Sequence, residues 1–490
     1  MDVEPALASR ESIWLVLIGC TVAVLTFMVI QAIPTPLFHL GRELELKATV
    51  QTYLQTGLLL VKPAGSGSWY TAIPGATGLI PAAWDDDPGI YVAASITTRL
   101  LGSGDPHRGL QVFMALLAAL PWIWIPLTMG RAFRSFRAGV ASLGALAVSV
   151  GLSLPQLVPF GTDYTAYVEP KAVPVYAEYG AASAWLVLLV TLLFLLWTTA
   201  RRRPMLALAL LSVAAGVGAG LAHGMRSLSG LVVIAAVGVL IFTIPRGLAW
   251  RGAAVAVAVL LAAGTVSAYT YALNAGRARV THMSMSSLPT SHNTWHPLYL
   301  GLAYTGPGLE TNPLGIIWDD TYAWAQARQA DPGVVIGSTE YDTIIRHLYF
   351  HVVRTHPAVV AWMYVLKARD TLLQELRPLM AALAVLALVY LAGRRRPRER
   401  WIGSVLVAAT LPGVAYGFAP PTLVMPLRYY FLELTASLNV VLLVGVSWLA
   451  IQDPRAVFSR IARGLTPGQI PGVAEERATR VAASADRTKV

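Results

Sequence analysis

Long apolar stretches recur along this chain, and they constrain its fold more than any other feature. A helix needs about 20 predominantly apolar residues to cross the hydrocarbon core of a bilayer. Of the 490 residues, 56% are apolar and only 13% are charged, whereas a soluble domain has about 25% charged residues. Suitable stretches lie near residues 13–33, 110–129, 138–158, 181–200, 205–222, 228–244, 253–273, 376–392, 401–418 and 429–450. The sequence therefore predicts an all-α polytopic membrane protein with about ten transmembrane helices.

Basic residues between the apolar stretches predict the orientation of these helices. Clusters of arginine follow the second, fourth, sixth and eighth stretches, so all of these loops fall on one side of the membrane. Because short cytoplasmic loops are enriched in Lys and Arg, we expect that side to be the cytoplasm. Both termini then also lie in the cytoplasm. Arginine greatly outnumbers lysine, which favours a bacterial source and hence the plasma membrane.

The predicted topology divides the chain into four parts. Residues 1–273 form an N-terminal membrane module, which includes a first outer loop at 34–108. Residues 274–375 form an outer segment that we expect to fold into a small cap. Residues 376–450 contain the last transmembrane helices, and residues 451–490 form a cytoplasmic tail.

Three helices are predicted within the outer segments. The stretch from Ile90 to Leu101 follows an acidic start and a proline, as helix N-termini often do. The stretch from Thr339 to Arg354 has acidic residues early and basic residues late, an order that complements the helix dipole. The apolar stretch from Ala358 to Leu366 contains Trp362 and is typical of a helix that lies on the membrane surface.

Composition excludes several other classes of protein. The net charge of +11 does not indicate nucleic-acid binding, because the arginines separate apolar stretches and do not form one basic face. Cys20 is the only cysteine, so an intrachain disulfide or a cysteine metal cluster is impossible.

The pairs His292/His296 and His347/His351 have the spacing of metal ligands on a helix. No glutamate stands beside the first histidine of either pair, so the zinc-protease motif is absent.

Three consecutive carboxylates in the first outer loop are the strongest candidate for chemistry. Asp85, Asp86 and Asp87 precede the helix predicted from Ile90, and Tyr91 follows Asp87 by four positions. Because like charges repel, such a cluster favours a cation, a proton or a positively charged partner. Asp87 or Asp86 could act as a general base, and Asp85 could bind a divalent cation, Mg²⁺ or Ca²⁺, through oxygen. A solvated helix cap is the alternative.

Other outer residues could bind a substrate. Glu169 and Lys171 lie in a short outer segment with tyrosines, a composition that suits sugar recognition or a hydrated loop. Arg226 lies between two apolar stretches, where it could bind a phosphate or extend to the membrane surface. In the third outer segment, Trp295 could stack on an acceptor sugar beside His292, or could simply pack within the cap.

Two of these regions resemble parts of the GT-C glycosyltransferases, which use sugars linked to a lipid phosphate. The stretch from Asp85 to Arg108 is similar to the first outer loop of the aminoarabinose and protein mannosyl transferases of that class, where an acidic residue stands four positions before a Tyr and a helix and a Gly-Asp follow. The stretch from Pro426 to Phe431 resembles the Arg-Tyr-Leu-Leu-Pro-Leu pattern that begins a late span there. The resemblance implies that Arg428 binds the lipid phosphate.

The resemblance implies an inverting glycosyltransferase with an Asp general base. Its partners would be the lipid bilayer, a polyprenyl-phosphate-linked sugar donor, and a glycan or glycolipid acceptor in the cell envelope. Two alternatives remain open. The first is an O-antigen ligase or polymerase, because His292-Asn293 resembles the His-Asn loop motif of those proteins. The second is a non-catalytic transporter of lipid-linked sugars, although the predicted spans contain almost no charge.

Overall fold

The computed structural model describes the chain at residues 9–32, 40–67, 73, 76–82, 88–157, 203–225, 227–242, 244, 247–289, 294–304, 312–393, 397–426, 428–453 and 455. Most of the described residues are helical. The helices of the first half are α1 (Ser9–Ala32), α2 (Leu40–Thr56), α3 (Gly89–Leu100), α4 (Pro106–Phe133), α5 (Phe136–Leu157), α6 (Pro204–Met225), α7 (Ser227–Phe242) and α8 (Leu248–Thr281). Those of the second half are α9 (Trp295–Gly301), α10 (Asp320–Ala330), α11 (Thr339–Thr355), α12 (Pro357–Gln374), α13 (Leu376–Gly393), α14 (Pro397–Leu423) and α15 (Leu432–Leu449).

The apolar helices support a membrane protein, but with fewer complete spans than predicted. Among the described residues, α1, α4, α6 and α8 are long and apolar enough to cross a bilayer. The pair α12 and α13 provides a fifth candidate if the two helices are counted as one span bent by 63°. The apolar parts of α5, α7 and α15 are shorter than 18 residues. The structure therefore gives four or five candidate spans where ten were predicted, and the span predicted at 181–200 lies outside the described residues.

The apolar helices form a bundle in which small residues let the backbones of neighbouring helices lie close together. Helix α1 packs against α4, α6 packs against both α7 and α8, and α15 packs against α5 and α14. A Cβ atom added to Gly216 of α6 would lie only 2.7 Å from the Ala258 carbonyl oxygen of α8. Small residues at such positions let helices approach closely, which stabilises helix pairs in lipid through van der Waals contact.

The predicted first outer loop contains a helix and a short hairpin that precede α3. Strand β1 (Val61–Pro63) pairs with β2 (Leu79–Pro81) in antiparallel register, so that Lys62 lies opposite Ile80. Helix α3 confirms the prediction for Ile90 to Leu101 to within one residue at each end. The Asp105 side chain accepts a hydrogen bond from the His107 backbone N–H and caps the start of α4, as expected of an aspartate before a helix.

Helices α9 to α12 pack together into one small unit, the cap. Buried side chains of its core include Tyr299, Trp324 and Ile345. Helix α11 confirms the prediction for Thr339 to Arg354, and its N-cap Ser338 accepts a hydrogen bond from the Tyr341 backbone N–H. Helix α8 continues through Asn274 to Thr281, beyond the end of its apolar stretch. The predicted start of the outer segment at residue 274 therefore falls inside a helix.

Candidate functional site

Most of the predicted site residues lie outside the described part of the chain. These are Asp85, Asp86, Asp87, Glu169, Lys171, Arg226 and His292. The backbone of Arg428 opens a short 3-10 helix that ends at Phe431. Tyr91 and Trp295 are described together with their side chains. The structure therefore informs the predicted site mainly through the segments that flank it.

One buried arginine near the C-terminal end of α8 connects two of these segments. Arg277 exposes only 1% of its surface. Its Nη1 donates a hydrogen bond to Asn274 Oδ1 at 2.9 Å. Its Nη2 donates to the Ala82 carbonyl oxygen at 2.6 Å and to the Pro289 carbonyl oxygen at 2.9 Å. A planar guanidinium suits this role because its five N–H donors have fixed directions.

These two carbonyl groups stand directly before the two predicted functional loops. Ala82 precedes residues 83–87, which contain the three aspartates, and Pro289 precedes residues 290–293, which contain His292. Both carbonyl oxygens bind the same nitrogen of Arg277, so the two loops begin beside each other. Segments separated by about 200 positions in the sequence are thus brought together by a single side chain.

A buried ion pair lies next to Arg277. Lys62 of β1 donates a hydrogen bond from Nζ to Glu45 Oε2 of α2 at 2.5 Å, and both side chains are almost fully buried. Glu45 also lies close enough to Arg277 for their opposite charges to attract each other. Buried charges are tolerated in proteins when they are paired and hydrogen-bonded. This charged cluster therefore joins α2, the hairpin and α8 at the base of the acidic loop.

Tyr91 packs into the apolar layer beside the charged cluster. It is buried together with Leu46 and Leu110, and Leu273 of α8 packs against the same group. Leu46 follows Glu45 in the sequence and Leu273 precedes Asn274, so this apolar group packs between the helices that carry the charged cluster. The predicted contact of Tyr91 with a substrate stays a prediction, whereas its packing role is clear.

Gly67 lies directly against the buried ion pair, where an added side chain is expected to crowd Glu45 and Lys62. A Cβ atom added there would lie 2.5 Å from Glu45 Oε2 and 2.8 Å from Lys62 Nζ. Gly67→Ala should destabilise the protein by about 1–3 kcal/mol from this crowding, in addition to about 1 kcal/mol for a side chain at positive φ. Thermal unfolding of the purified protein in detergent measures the change.

Gly65→Ala is the matched control for this substitution. Gly65 has a φ of 77°, close to the 72° of Gly67, but nothing lies within 4 Å of its added Cβ. The two variants therefore share the backbone strain and differ in the crowding. Equal losses of thermal stability would contradict the close packing of Gly67 on the ion pair.

Trp295 and its neighbours form the polar and aromatic side of the cap. The ring of Trp295 contacts those of Tyr349 and Phe350, with centroids 5.5 and 5.1 Å away. Its backbone N–H donates to Asp342 Oδ1 at 3.1 Å. Partial burial raises the pKa of Asp342, while this hydrogen bond acts in the opposite direction. Trp295 thus contributes to packing, and its stacking on a sugar stays a prediction.

His296 connects three helices of the cap. Its Nδ1 lies 2.5 Å from the Tyr341 hydroxyl of α11, and its Nε2 lies 3.0 Å from Asp320 Oδ1 of α10. Both ring nitrogens are therefore occupied by hydrogen bonds within the cap. Across the described residues, no three His, Cys, Asp or Glu side chains are grouped to hold a metal ion.

Helix α9 leads from the loop that begins at Pro289 towards the segment that precedes Arg428. Gly301, at the end of α9, packs against the backbone of Val424, and a Cβ atom added to Gly301 would lie 2.9 Å from the Val424 carbonyl carbon. A helix of seven residues spans about 10 Å. The described residues 294–304 thus reach the segment that stands just before Arg428 in the sequence.

Comparisons with known proteins do not assign this chain to a family. No protein-family model matches it, and searches of curated proteins and of solved structures find no match. Its function is therefore inferred from the chemistry of its residues.

Sequence reasoning missed Arg277, Glu45 and Lys62. An ionisable residue four positions after a predicted span is the signal that could have identified Arg277.

Proposed function

We propose that this chain is a GT-C-type membrane glycosyltransferase that moves a sugar from a polyprenyl-phosphate donor to a cell-envelope acceptor on the outer face. The observation that carries the proposal is the pair of hydrogen bonds from Arg277 to Ala82 and Pro289. Through them, the acidic loop and the loop containing His292 begin at one point. An active site assembled from distant outer loops needs such a connection, because loops must be held by a rigid scaffold to position reacting groups.

The proposed reaction is a single in-line displacement. Asp87, or Asp86 beside it, accepts the proton of an acceptor hydroxyl, and the hydroxyl oxygen forms a bond to the anomeric carbon. The bond between that carbon and the phosphate oxygen breaks, and its electron pair leaves with the polyprenyl phosphate. Arg428 and Arg226 stabilise the charge that develops on the phosphate. Attack from the opposite face inverts the anomeric carbon.

The remaining residues of the proposal contact the sugars. Glu169, Lys171, Tyr91, Trp295 and His292 are proposed to bind donor or acceptor. A divalent cation at Asp85 stays a prediction, and no step of the reaction requires it. The packing of Gly301 against Val424 supports the proposal, because it connects the loop of His292 to the segment of Arg428.

The proposed topology places both termini in the cytoplasm of a bacterium. Described helices occupy nine of the ten predicted stretches, and four or five candidate spans among them are long and apolar enough to cross a bilayer. Several of these helices are shorter than a full span, and such helices can cross a membrane where the bilayer thins around them. Cysteine-accessibility labelling of the predicted loops from the two sides of a vesicle tests the topology.

Direct assay of the purified protein tests the activity. We expect incorporation of label when the protein is incubated with radiolabelled polyprenyl-phosphate sugars and a panel of envelope acceptors. Label that moves across proteoliposomes without transfer would contradict the proposal and favour a transporter. Transfer of a preassembled oligosaccharide would favour the O-antigen ligase, the second candidate. That candidate depends on the loop of His292 and Asn293, which follows Pro289, the residue that Arg277 binds.

A further inference from the structure

Two histidines of α11 keep the spacing of metal ligands in the folded chain. Because α11 is helical from Thr339 to Thr355, His347 and His351 lie one turn apart, about 6 Å along its axis. Both are exposed, and no described residue forms a hydrogen bond or an ion pair with either ring. In the other predicted pair, both ring nitrogens of His296 already bind neighbours within the cap. Of the two pairs, His347 and His351 are therefore the one that can offer both rings to an ion.

The two histidines lie in the middle of the exposed face of α11. The opposite face is buried in the cap through Tyr341 and Ile345. Residues three, four or seven positions apart share one face of a helix. The exposed face includes Glu340, His347, His351 and Arg354. Its middle is polar, with an acidic residue near the start of the helix and a basic one near the end. Burial of apolar surface therefore cannot be what holds a partner against it.

One copy of α11 supplies only two of the ligands that a zinc ion needs. Imidazole nitrogen suits Zn²⁺, which in structural sites has four ligands in a tetrahedral arrangement. No third His, Cys, Asp or Glu of the described residues is grouped with His347 and His351. Glu340 lies two turns earlier, about 10 Å along the axis from His347, and cannot coordinate the same ion. The histidine pair is therefore half of a site.

A second copy of the chain can supply the other half. A two-fold axis brings the same surface of two copies together, so two α11 helices that run antiparallel place His347 of each opposite His351 of the other. Glu340 of one copy then lies about 6 Å along the axis from Arg354 of the other, within reach of these long side chains. The acidic start and the basic end of α11 thus attract each other across the pair. This contact also places a carboxylate beside Arg354, whose charge would otherwise repel a divalent cation.

From these observations we propose that His347 and His351 form half of a Zn²⁺ site, which a second copy of this chain completes through the same two residues. The ion is bound by four imidazole nitrogens and joins the caps of the two copies. Without the ion, the polar faces have too little apolar surface to associate, so the dimer forms in response to metal. This site would operate whether or not the chain is a transferase.

The mass of the full-length protein in detergent, measured by light scattering with and without Zn²⁺, tests this proposal. We expect a monomer in the presence of a chelator and a dimer on addition of Zn²⁺, with one bound ion for two chains. Loss of a second-shell partner alone typically costs about 10–100-fold in metal affinity. His347→Ala and His351→Ala should therefore each raise the Zn²⁺ concentration at half-dimerisation at least tenfold. His356→Ala is the matched control, because this exposed histidine lies just after the end of α11.

Two further measurements report the geometry of the site. Co²⁺ in place of Zn²⁺ should give the intense visible absorption of a tetrahedral site, and either histidine substitution should abolish it. Glu340→Arg should weaken the dimer, because like charges then face each other across the pair. Adding Arg354→Glu to that variant should restore the dimer, because the opposite charges are then exchanged.

Several results would overturn the proposal. They are one ion bound to each single chain without dimerisation, a Zn²⁺-dependent dimer that survives both histidine substitutions, an equal loss in His356→Ala, and a dimer that Glu340→Arg leaves unchanged. Because the substituted residues are exposed, the thermal midpoints measured with a chelator should be the same in all variants. None of these readouts requires sugar transfer, so a failure here is distinct from a failure of the proposed activity.

Discussion

Replacing Asp87 with asparagine is expected to reduce sugar transfer by about 10²–10⁴-fold, the usual contribution of a general base. Asparagine has nearly the same size and shape, but its amide cannot accept a proton from the acceptor hydroxyl. The measurement is initial transfer of labelled sugar by the purified variant, with thermal unfolding in detergent to confirm that it is folded. Unchanged turnover would remove the proposed mechanism.

The neighbouring carboxylates are the controls for this substitution. Asp86→Asn shows whether the base is Asp86 instead, and Asp85→Asn removes the same charge two residues away. If one variant loses activity and the other two retain it, a single carboxylate accepts the proton. Equal losses in all three would instead indicate that the cluster acts through its total charge, for example by binding a cation.

Local sequence patterns predicted the helices well. The acidic first turn and basic last turn of α11, and the proline before α3, mark helix ends that the structure confirms. Such signals depend on residues only a few positions apart, so they can be recognised without knowing how distant parts of the chain pack. Helix α8 shows the limit of this reasoning, because its apolar stretch ends near residue 273 while the helix continues to Thr281. Apolarity marks the part of a helix in lipid and not the length of the helix.

The charged cluster could not be predicted in the same way. Glu45 and Lys62 lie 17 positions apart, and Arg277 is more than 200 positions further along the chain. In the sequence, the immediate neighbours of each are apolar or small residues, which do not reveal a charged partner. Only the packing of α2, the hairpin and α8 shows that all three are buried together. The number of complete spans was also overestimated, because an apolar stretch does not reveal where its helix bends or ends.

Lys367 shows the same limit at the end of the predicted interfacial helix. A lysine after an apolar stretch is usually interpreted as an anchor that extends to the membrane surface. The structure buries it completely against the end of α14 instead. This outcome depends on which side of α12 faces the protein. The side is not evident from the sequence, because apolar residues lie on both the buried and the exposed sides of this helix.

Substitution of Arg277 with methionine is expected to loosen both outer loops at once. Methionine has a side chain of similar length but no hydrogen-bond donors, so the carbonyl groups of Ala82 and Pro289 would lose their partner. Glu45 would lose a neighbouring positive charge. Removal of one member of a buried charged group typically costs about 3–5 kcal/mol. We therefore expect a marked fall in the thermal midpoint of the purified protein.

Hydrogen–deuterium exchange can show that the two loops depend on the same side chain. In Arg277→Met, peptides covering residues 79–90 and 286–296 should both exchange faster, whereas peptides from the core of α6 should not change. Arg277→Lys should give an intermediate result, because an ammonium group lacks the planar fork that reaches several acceptors. Arg279→Met is the matched control, since Arg279 lies on the same helix turn and is exposed. Faster exchange in only one of the two peptides would contradict the role of Arg277. It would also remove the main support for a shared site, because the acidic loop and the loop of His292 would then be held independently.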